Sequence, residues 1–326
     1  MNGFGRLFRL SLFGASHGPG VGVLVEGCPA GLDLSPEDFS ADLQRRRPGA
    51  KGTTTRVETD EVQVLSGVHE GKTTGQALGL WVVNRQVDSE AYADIKDLPR
   101  PGHADFTAWA KYGAHRDHRG GGMFSGRMTV GLVLAGVIAK RLLPDVQMEA
   151  RLLQVGGRED MQLAVEEAMA EADSVGGLIE CRVKGLPLGL GEPFFDSVES
   201  LLAHMLFSIG GIRGVEFGSG FACASMRGSV CNDPILDIDG RTATNHAGGI
   251  NGGITNGNDL FFRVAVKPTP SIPQAQQTIN LSTGHPAEIK IKGRHDACFA
   301  LRLPIVIEAA CAIVLADLQN RGTLAP

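Results

Sequence analysis

Short stretches of apolar and β-branched residues recur along the chain and predict its strands. Arg6–Phe13 alternates in polarity with period two, and Val21–Cys28 follows it across a glycine-rich turn, so the two are expected to form a pair of strands. Four further strands are predicted where similar stretches occur, at Glu61–Leu65, Leu78–Asn84, Asp259–Lys267 and Glu288–Gly293.

Longer apolar patterns bounded by cap residues predict the helices. Ser35-Pro36-Glu37-Asp38 supplies a cap residue, a proline and two acids, and the helix that follows is expected to end at Arg45-Arg46-Arg47. Four more helices are predicted at Ser125–Leu143, Asp160–Ser174, Ser197–Ile209 and Leu303–Asn320. Strands and helices mix without regular βαβ spacing, without a repeat and without a linker, so we predict an α+β fold in one domain spanning residues 1–326.

The amino-acid composition indicates a globular protein and argues against a disulfide scaffold, a zinc site and a membrane span. A hydrophobic content of 43% and a charged content of 21% are typical of a globular chain, and 44 glycines are roughly twice the average share. The six cysteines have no zinc-like spacing, so we expect free thiols in a reducing cytoplasm and no metal site. The longest apolar stretch, around 305–316, contains Glu308 and is too short to cross a membrane.

The distribution of charge is more informative than its sum. A net charge of −5 argues against a nucleic-acid surface. Residues 40–60, 99–127 and 263–296 nevertheless carry a combined charge of +8, which leaves −13 on the rest of the chain. Convergent cations on an acidic body would suit a small anionic ligand, although charge alone leaves open three separate solvated faces.

The first candidate site residues lie in a tight turn. Gly14-Ala15-Ser16-His17-Gly18 places a serine and a histidine between the first two predicted strands, with small neighbours that leave the imidazole accessible. Such a histidine suits a general acid or base, although a lone histidine is more often structural.

A second histidine lies near a run of glycines. Pro101-Gly102-His103-Ala104-Asp105 sets His103 after a rigid turn, and cationic residues lead from it into Gly120-Gly121-Gly122. These glycines allow backbone N–H groups to converge on an anion, and the predicted helix that follows offers its N-terminus.

Two segments near the C-terminus complete the candidates. Lys267-Pro268-Thr269-Pro270-Ser271 ends a strand in a stiff loop with a lysine and two hydroxyls, which suits a phosphate but is also common in plain turns. In Arg294-His295-Asp296 the neighbouring histidine and aspartate would form a catalytic pair only if they faced the same side. Gly67–Thr73 is one residue too short for a nucleotide-binding P-loop, and Gly18–Gly22 precedes a strand where a dinucleotide fingerprint must follow one.

These pieces, in this order and over nearly the whole chain, resemble the chorismate synthase family of the shikimate pathway. The matching motifs include Ser16-His17-Gly18, Arg45-Arg46-Arg47-Pro48-Gly49, Arg100-Pro101-Gly102-His103-Ala104-Asp105, Gly120-Gly121-Gly122, Asn245-His246-Ala247-Gly248-Gly249, Lys267-Pro268-Thr269 and Arg294-His295-Asp296. The resemblance implies a β-α-β sandwich, usually a homotetramer, located in the cytoplasm.

The resemblance also implies a reaction. The family is a lyase that converts 5-enolpyruvylshikimate 3-phosphate to chorismate and phosphate by anti-1,4-elimination, and it requires reduced FMN although the reaction is redox-neutral. The substrate's carboxylates and phosphate fit the basic segments. The proton to be removed is only weakly acidic, which is a physical reason for a flavin able to lend electron density.

Site roles follow from the same resemblance. His17, His103, Asp296 and Ser16 are implied as catalytic: His17 protonates the flavin system, His103 assists phosphate departure, and Asp296 acts through a hydroxyl such as Ser16 or Ser125. The implied cofactor contacts are Met123, Phe124, Ser125, Gly210, Gly211, Gly252, Lys267, Pro268, Thr269, Pro270, Ser271 and Arg294. The implied anion-binding residues are Arg45, Arg46, Arg47 and Arg127.

The chain departs from the family pattern at two places. Ala15 stands where the family usually has Glu, and Met123–Met128 replaces the usual Arg-Ser-Ser-Ala-Arg-Glu, with Ser125 and Arg127 retained. A catalytically impaired flavin-binding homologue is therefore the alternative, although both histidines are present. Since no dinucleotide fingerprint is found, reduced FMN is expected to be supplied externally, with NADPH acting only through a separate reductase.

Overall fold

The computed structural model describes residues 2–88, 90, 94–293 and 295–322. The described strands are β1 Gly3–Phe4, β2 Arg9–Gly14, β3 Gly20–Glu26, β4 Val62–Ser66, β5 Val68–His69, β6 Lys72–Thr73, β7 Leu78–Val83, β8 Gln147–Val155, β9 Gly177–Lys184, β10 Ile212–Phe217, β11 Ile250–Asn251, β12 Ile254–Thr255, β13 Leu260–Val266, β14 Ala275–Ile279 and β15 Pro286–Lys290. The described α-helices are α1 Ser40–Arg46, α2 Asp105–Tyr112, α3 Thr129–Arg141, α4 Met161–Ala170, α5 Val198–Phe207, α6 Gly228–Cys231 and α7 Pro304–Gly322.

Two antiparallel sheets form the outer layers. The first has the strand order β1-β2-β3-β7-β4, and the second has the order β10-β13-β9-β8. In the first sheet Val23 pairs with Leu80, and both side chains are fully buried. In the second sheet Phe262 pairs with Cys181, again with both side chains fully buried. Each sheet therefore turns one apolar face inward, as period-two patterning requires.

A helical layer lies between the sheets. Helix α3 packs on β3 and on α7, and α7 packs on β8 and β9. Residues 130–139 of α3 and 305–316 of α7 are buried on all sides, as is typical of helices inside a core. At Gly136 an added Cβ would lie 2.4 Å from the Cβ of Ala309, so the glycine allows the two helices their close approach. The predicted β-α-β sandwich of α+β class is confirmed.

One carboxylate ties the two ends of the described chain together. Asp317 on α7 is fully buried, and its Oδ1 accepts the backbone N–H groups of Arg6, Leu7 and Phe8 at 3.0, 2.7 and 3.0 Å. These three donors precede β2 and have no strand partner there, so the carboxylate satisfies groups that would be costly to bury unpaired. This contact fixes the N-terminal loop against the core.

Most predicted elements exist, with shifted ends. The long helix predicted at Ser125–Leu143 divides into a 3₁₀ turn at Gly126–Met128 and α3, and the Ser125 hydroxyl caps the turn by accepting the N–H of Arg127. The predicted strand Glu288–Gly293 is β15, which ends earlier. The strands β8, β9 and β10 were not predicted, and they form three quarters of the second sheet.

Candidate active site

A cavity of about 850 Å³ opens where the loops of both sheets meet. Most of the residues proposed from the sequence line it: Ser16, His103, Asp296, Met123, Phe124, Ser125, Gly210, Gly211, Lys267, Pro268, Thr269, Pro270, Ser271, Arg46, Arg47 and Arg127. The volume suits a site for more than a single small anion.

The turn that carries His17 is held rigidly from outside. The side-chain amide of Asn84 donates to the carbonyls of Ala15 and Gly18, both at 2.9 Å. Gly14 has φ +96°, and a Cβ there would lie 2.3 Å from the carbonyl of Gly20, so only glycine fits. His17 itself is 7% exposed.

Cations surround His17. Arg56 donates from Nη1 to the Ser16 hydroxyl at 3.1 Å and from Nη2 to the Ser16 carbonyl at 3.2 Å. The guanidinium is in turn held by buried Glu58, which accepts its Nε and Nη2 at 3.1 and 2.8 Å. Burial first, and then the charges of Arg56 and Arg119, lower the pKa of His17 to about 4. His17 is therefore neutral near pH 7 when no anion is nearby.

His103 belongs to a three-residue ionic group. Its Nδ1 donates to Asp105 Oδ1 at 2.7 Å, and Arg100 donates from Nε to Asp105 Oδ2 at 2.7 Å and from Nη2 to Oδ1 at 3.0 Å. Arg100 Nη2 also lies 3.1 and 3.2 Å from the two ring nitrogens, so the guanidinium sits against the imidazole. Burial and Arg100 lower the pKa of His103, whereas Asp105 opposes them. With Nδ1 donating to Asp105, Nε2 is the ring nitrogen that can gain or lose a proton, and it lies beside Arg100 Nη2 at 3.2 Å.

The triple glycine lies between the two histidines. Gly120, Gly121 and Gly122 have φ of +57°, +80° and +53°. A Cβ at Gly120 would lie 2.3 Å from Cδ2 of His17, and a Cβ at Gly121 would lie 3.4 Å from Cε1 and Nε2 of His103. The carbonyl of Gly122 accepts the backbone N–H of Ser16 at 3.2 Å. The segment therefore touches both imidazoles, and at Gly120 it does so only because it lacks side chains.

Arginines with unused donors face the same cavity. Buried Asp60 accepts Arg46 Nη2 at 2.7 Å through Oδ2 and Arg127 Nη1 through Oδ1, while Arg127 Nε donates to Asn84 Oδ1 at 3.0 Å. Although burial raises the pKa of Asp60, the charges of Arg46 and Arg127 outweigh it, and the pKa is lowered. Burial, together with Arg302 and Arg127, lowers the pKa of Arg46 to about 10. Among the described residues, Arg46 Nε and Nη1, Arg47 Nε and Arg127 Nη2 are buried without a hydrogen-bond partner.

Unsatisfied buried donors are expensive, so they mark the place of a missing acceptor. A second such group is the buried hydroxyl of Thr269 in the loop after β13. In the same loop Lys267 donates from Nζ to the carbonyl of Gly102, and Ser271 Oγ accepts Arg100 Nη1 at 3.0 Å. The loop is thereby joined to the group that holds His103.

Four proposed site residues are not among those that line the cavity. His17 lies just outside the lining, with its ring against Gly120, which is part of it. Arg45 points away from it, because its guanidinium pairs with buried Glu308 on α7 at 2.6 and 2.7 Å. Gly252 is not among the residues around the cavity, and a Cβ there would meet nothing within 4 Å. Arg294 lies outside the described residues. The assignment of Arg45 to anion binding is corrected by its ion pair, and the assignment of Gly252 by its position.

The departures at 123–124 leave apolar surface at the cavity. Met123 and Phe124 are 49% and 42% exposed and line it next to Ser125. The other glycines of the proposed cofactor contacts are close by, since a Cβ at Gly210 would lie 3.7 Å from the carbonyl of Phe124. An apolar wall of this kind can receive a planar aromatic group.

Asp296 is well fixed at the cavity edge. Its Oδ1 accepts the N–H of Thr54 at 2.8 Å, and Arg302 Nη1 donates to Oδ1 and Oδ2 at 3.1 and 3.2 Å. The neighbouring His295 directs Nε2 to the carbonyl of Lys292 at 3.3 Å instead. The two side chains therefore engage different partners.

Several supporting residues were not singled out from the sequence. Arg56, Glu58 and Asp60 occupy every second position of one segment, and this spacing of charged residues was a usable signal. Asn84 carries no signal, because its role depends on two carbonyls 66 and 69 residues away. No described helix is long and apolar enough to cross a membrane. Across the described ranges no three or more His, Cys, Asp or Glu side chains are grouped as a metal site would need.

Comparison with known proteins agrees with the geometry. The family model described as chorismate synthase matches residues 8–319. The chain is 56% identical over 318 residues to a chorismate synthase of Chitinophaga pinensis, covering 97% of this chain and 96% of that protein. It is 46% identical to a chorismate synthase of Methanosarcina mazei, with 98% and 96% coverage. A solved structure titled as a chorismate synthase matches with a TM-score of 0.77 at 26% identity, covering 98% of this chain and 93% of that one.

Proposed function

The chain belongs to the chorismate synthase family, and on that premise we propose the roles that its own residues take. The protein is a lyase of the shikimate pathway that converts 5-enolpyruvylshikimate 3-phosphate to chorismate and phosphate, in a family that uses reduced FMN. In finer terms we class it as a carbon–oxygen lyase acting on a phosphate ester. The observation that carries the roles below is the cavity in which His103 and unsatisfied arginines meet, with the ring of His17 against its lining residue Gly120.

The cavity residues fit a flavin phosphate and a substrate with three anionic groups. Buried nitrogens of Arg46, Arg47 and Arg127 and the hydroxyl of Thr269 lack acceptors among the described residues, and the carboxylates and phosphates of these ligands would supply them. We propose that Lys267–Ser271, Gly210, Gly211 and Ser125 hold the cofactor, with Met123 and Phe124 against its apolar part. When bound, reduced FMN supplies transient electron density to the carbon–oxygen bond that breaks.

His103 is proposed to assist phosphate departure through Nε2. Asp105 fixes Nδ1 as a donor and stabilises the imidazolium, so that a proton can be held at Nε2 toward the leaving phosphate. The lowered pKa describes the site without anions, and a nearby phosphate dianion would raise it. Asp105 is thus a positioning residue, and Arg100 positions Asp105 in turn.

His17 is proposed to hold a proton and to donate it toward the place that the cofactor would occupy. It is neutral near pH 7 without ligands, since burial and Arg56 lower its pKa to about 4, and the arrival of anions favours its protonated form. Ser16 and Asp296 are proposed to relay the proton that the reaction releases. Support comes from the cavity position of Ser16 and Asp296 and from the firm anchoring of Asp296 by Arg302 and Thr54.

Reduced FMN is proposed to be supplied from outside the protein. No dinucleotide fingerprint occurs in the chain. The buried cationic donors near the cavity are already needed for the anionic groups of the substrate and the flavin, so they do not argue for a bound nicotinamide cofactor. NADPH would then act only through a separate flavin reductase.

We also propose a cytoplasmic homotetramer. Large apolar side chains are exposed outside the cavity, and a second copy of the chain would cover them. These are Phe194 at 85% and Phe195 at 91% exposure. Light scattering coupled to gel filtration tests the proposal, and a monomer at micromolar concentration would contradict it.

One anaerobic assay tests the reaction and the flavin supply separately. The purified protein receives 5-enolpyruvylshikimate 3-phosphate with FMN, reduced either by dithionite or offered with NADPH alone. We expect chorismate and phosphate only in the dithionite arm. Sustained chorismate formation with NADPH alone would disprove external supply. A flavin spectrum that changes on binding without chorismate in either arm would instead identify an impaired homologue.

A further inference from the structure

Two cysteines lie side by side on the surface, away from the cavity. Cys223 is in the 3₁₀ helix Gly220–Ser225, Cys231 ends α6, and their Sγ atoms are 3.8 Å apart. Both side chains are partly exposed, and every residue from 220 to 231 is exposed or partly exposed. The reaction assigned above uses neither thiol.

The backbone holds the two thiols in place. The carbonyl of Cys223 accepts the N–H of Met226 at 3.1 Å, and the N–H of Cys231 donates to the carbonyl of Arg227 at 2.9 Å. Beyond Cys231, the carboxylate of Asp233 accepts the N–H groups of His246 and Ala247 at 2.8 and 2.9 Å. The pair therefore lies on local turns that are hydrogen-bonded to the 245–249 loop. The two sulfur atoms can come within bonding distance without any rearrangement of the core.

A second thiol pair in the same chain provides a contrast. Cys181 on β9 and Cys311 on α7 are hydrogen-bonded to each other and fully buried between sheet and helix. Oxidants reach thiols according to exposure and thiolate character. The chain thus contains one accessible and one inaccessible thiol pair.

We propose that Cys223 and Cys231 form an oxidisable dithiol that closes into an intrachain disulfide. With hydrogen peroxide as the oxidant, one thiolate attacks a peroxide oxygen, a sulfenic acid forms and one water leaves. The second thiolate then attacks the sulfenyl sulfur, the sulfur–sulfur bond forms and a second water leaves. The two thiols lose two electrons in total, and one peroxide is reduced to two waters.

The environment sets the pH dependence of this step. The hydrogen bond that the Cys231 thiol donates to Cys223, then burial and the charges of Cys223 and Asp233, raise the pKa of Cys231. Because the thiolate is the reactive form, closure should be slow near pH 7 and should accelerate by about tenfold per pH unit below the pKa.

Peptide mapping tests the proposal, and non-reducing electrophoresis of the same sample separates a disulfide within one chain from one between two chains. Trypsin cuts after Arg213, Arg227 and Arg241, so Cys223 and Cys231 fall in the separate peptides 214–227 and 228–241. We expect native protein treated with peroxide, alkylated and digested to yield these two peptides joined, and dithiothreitol to separate them. The buried pair, in peptides 159–182 and 303–321, should remain reduced in the same sample.

Variants complete the design. Cys223→Ser and Cys231→Ser should each abolish the joined pair, whereas Cys311→Ser should leave its yield unchanged. Peptides 214–227 and 228–241 that stay separate after peroxide at pH 7 and pH 8 would overturn the proposal. Oxidation of Cys223 or Cys231 to a sulfinic acid, or a disulfide between two chains, would overturn it as well.

Discussion

The turns that carry His17 and His103 look alike in sequence but differ in how they are held. Both are flanked by glycine, both histidines are largely buried, and both touch the triple glycine 120–122. His103 draws its partners from its own turn, because Arg100 and Asp105 lie within five residues of each other. The His17 turn is held by Arg56 and Asn84, which are 40 and up to 69 residues away.

These different partners affect how readily each imidazole is protonated. Burial first, and then a neighbouring guanidinium, lower the pKa of both histidines, but at His103 the carboxylate of Asp105 on Nδ1 opposes them and favours the imidazolium. Two chemically identical side chains therefore have different partners, with His103 lining the cavity and His17 lying against Gly120 of its wall. Separating such environments is a general means of running acid and base chemistry at one pH.

Removing either imidazole should have the largest effect. His17→Ala and His103→Ala should each lower turnover by about 10²-fold or more, which is the usual contribution of a positioned acid or base. Folding should persist, because both residues lie in loops. His69→Ala is a matched control, since that side chain is 79% exposed. Phosphate release near the wild-type rate in either site variant would refute the assigned role.

Removing the charged partner of His103 alone should show that the two histidine turns depend on different residues. Asp105→Asn keeps the shape but removes the charge that stabilises the His103 imidazolium, so turnover should fall about tenfold or more while KM changes little. The alkaline limb of the rate profile should move to lower pH, because His103 must be protonated to act and its pKa would fall further. A variant whose pH profile superimposes on that of the wild type would show that Asp105 is only structural. Circular dichroism checks folding, since Arg100 would lose its ion pair.

Alanine substitutions in the triple glycine should affect the two histidines differently, because the new Cβ atoms would lie at different distances from the two rings. In Gly120→Ala the new Cβ would lie 2.3 Å from the His17 ring and must displace it, so turnover should fall by about tenfold. In Gly121→Ala the contact with His103 is 3.4 Å, so the loss should be smaller. Gly113→Ala controls for backbone strain, because its φ is +60° and a Cβ there meets nothing within 4 Å. Equal losses in all three variants would show that strain, and not contact, explains the effect.

Local signals made much of the fold predictable. Ser35, Ser125 and Ser197 precede helical turns as their sequence context indicates, and β2 and β3 follow from their apolar residues. Strand β8 was missed because its Met, Glu, Ala, Arg and Leu residues are all good helix formers, and pairing with β9 overrides that preference.

The site was predictable as a set of motifs but not as a set of contacts. Arg45 and Arg46 are neighbours on α1 and look equivalent in sequence, yet helical geometry turns them to different sides. Arg45 therefore meets Glu308, and Arg46 meets Asp60 beside the cavity. The supporting residues Asn84 and Asp60 acquire their roles only through contacts that span many residues.

The smallest effect is expected on the stability of the fold at acid pH. It should still distinguish the turn of His17 from that of His103. The pKa of His17 is lowered from 6.5 to about 4, so below pH 6.5 the unfolded chain binds a proton there that the folded chain does not. Folding is therefore destabilised as the pH falls from 6.5 to 4, and the penalty is absent above pH 7. His17→Asn cannot titrate, so its free energy of unfolding should decline less over this window, by on the order of 2 kcal/mol. Urea unfolding at pH 7.5 and pH 4.5 measures the difference, with the exposed His69→Asn as control. Parallel declines in the wild type and His17→Asn would mean that His17 is not held neutral in the folded protein, and the contrast between the two turns would then rest on Asp105 alone.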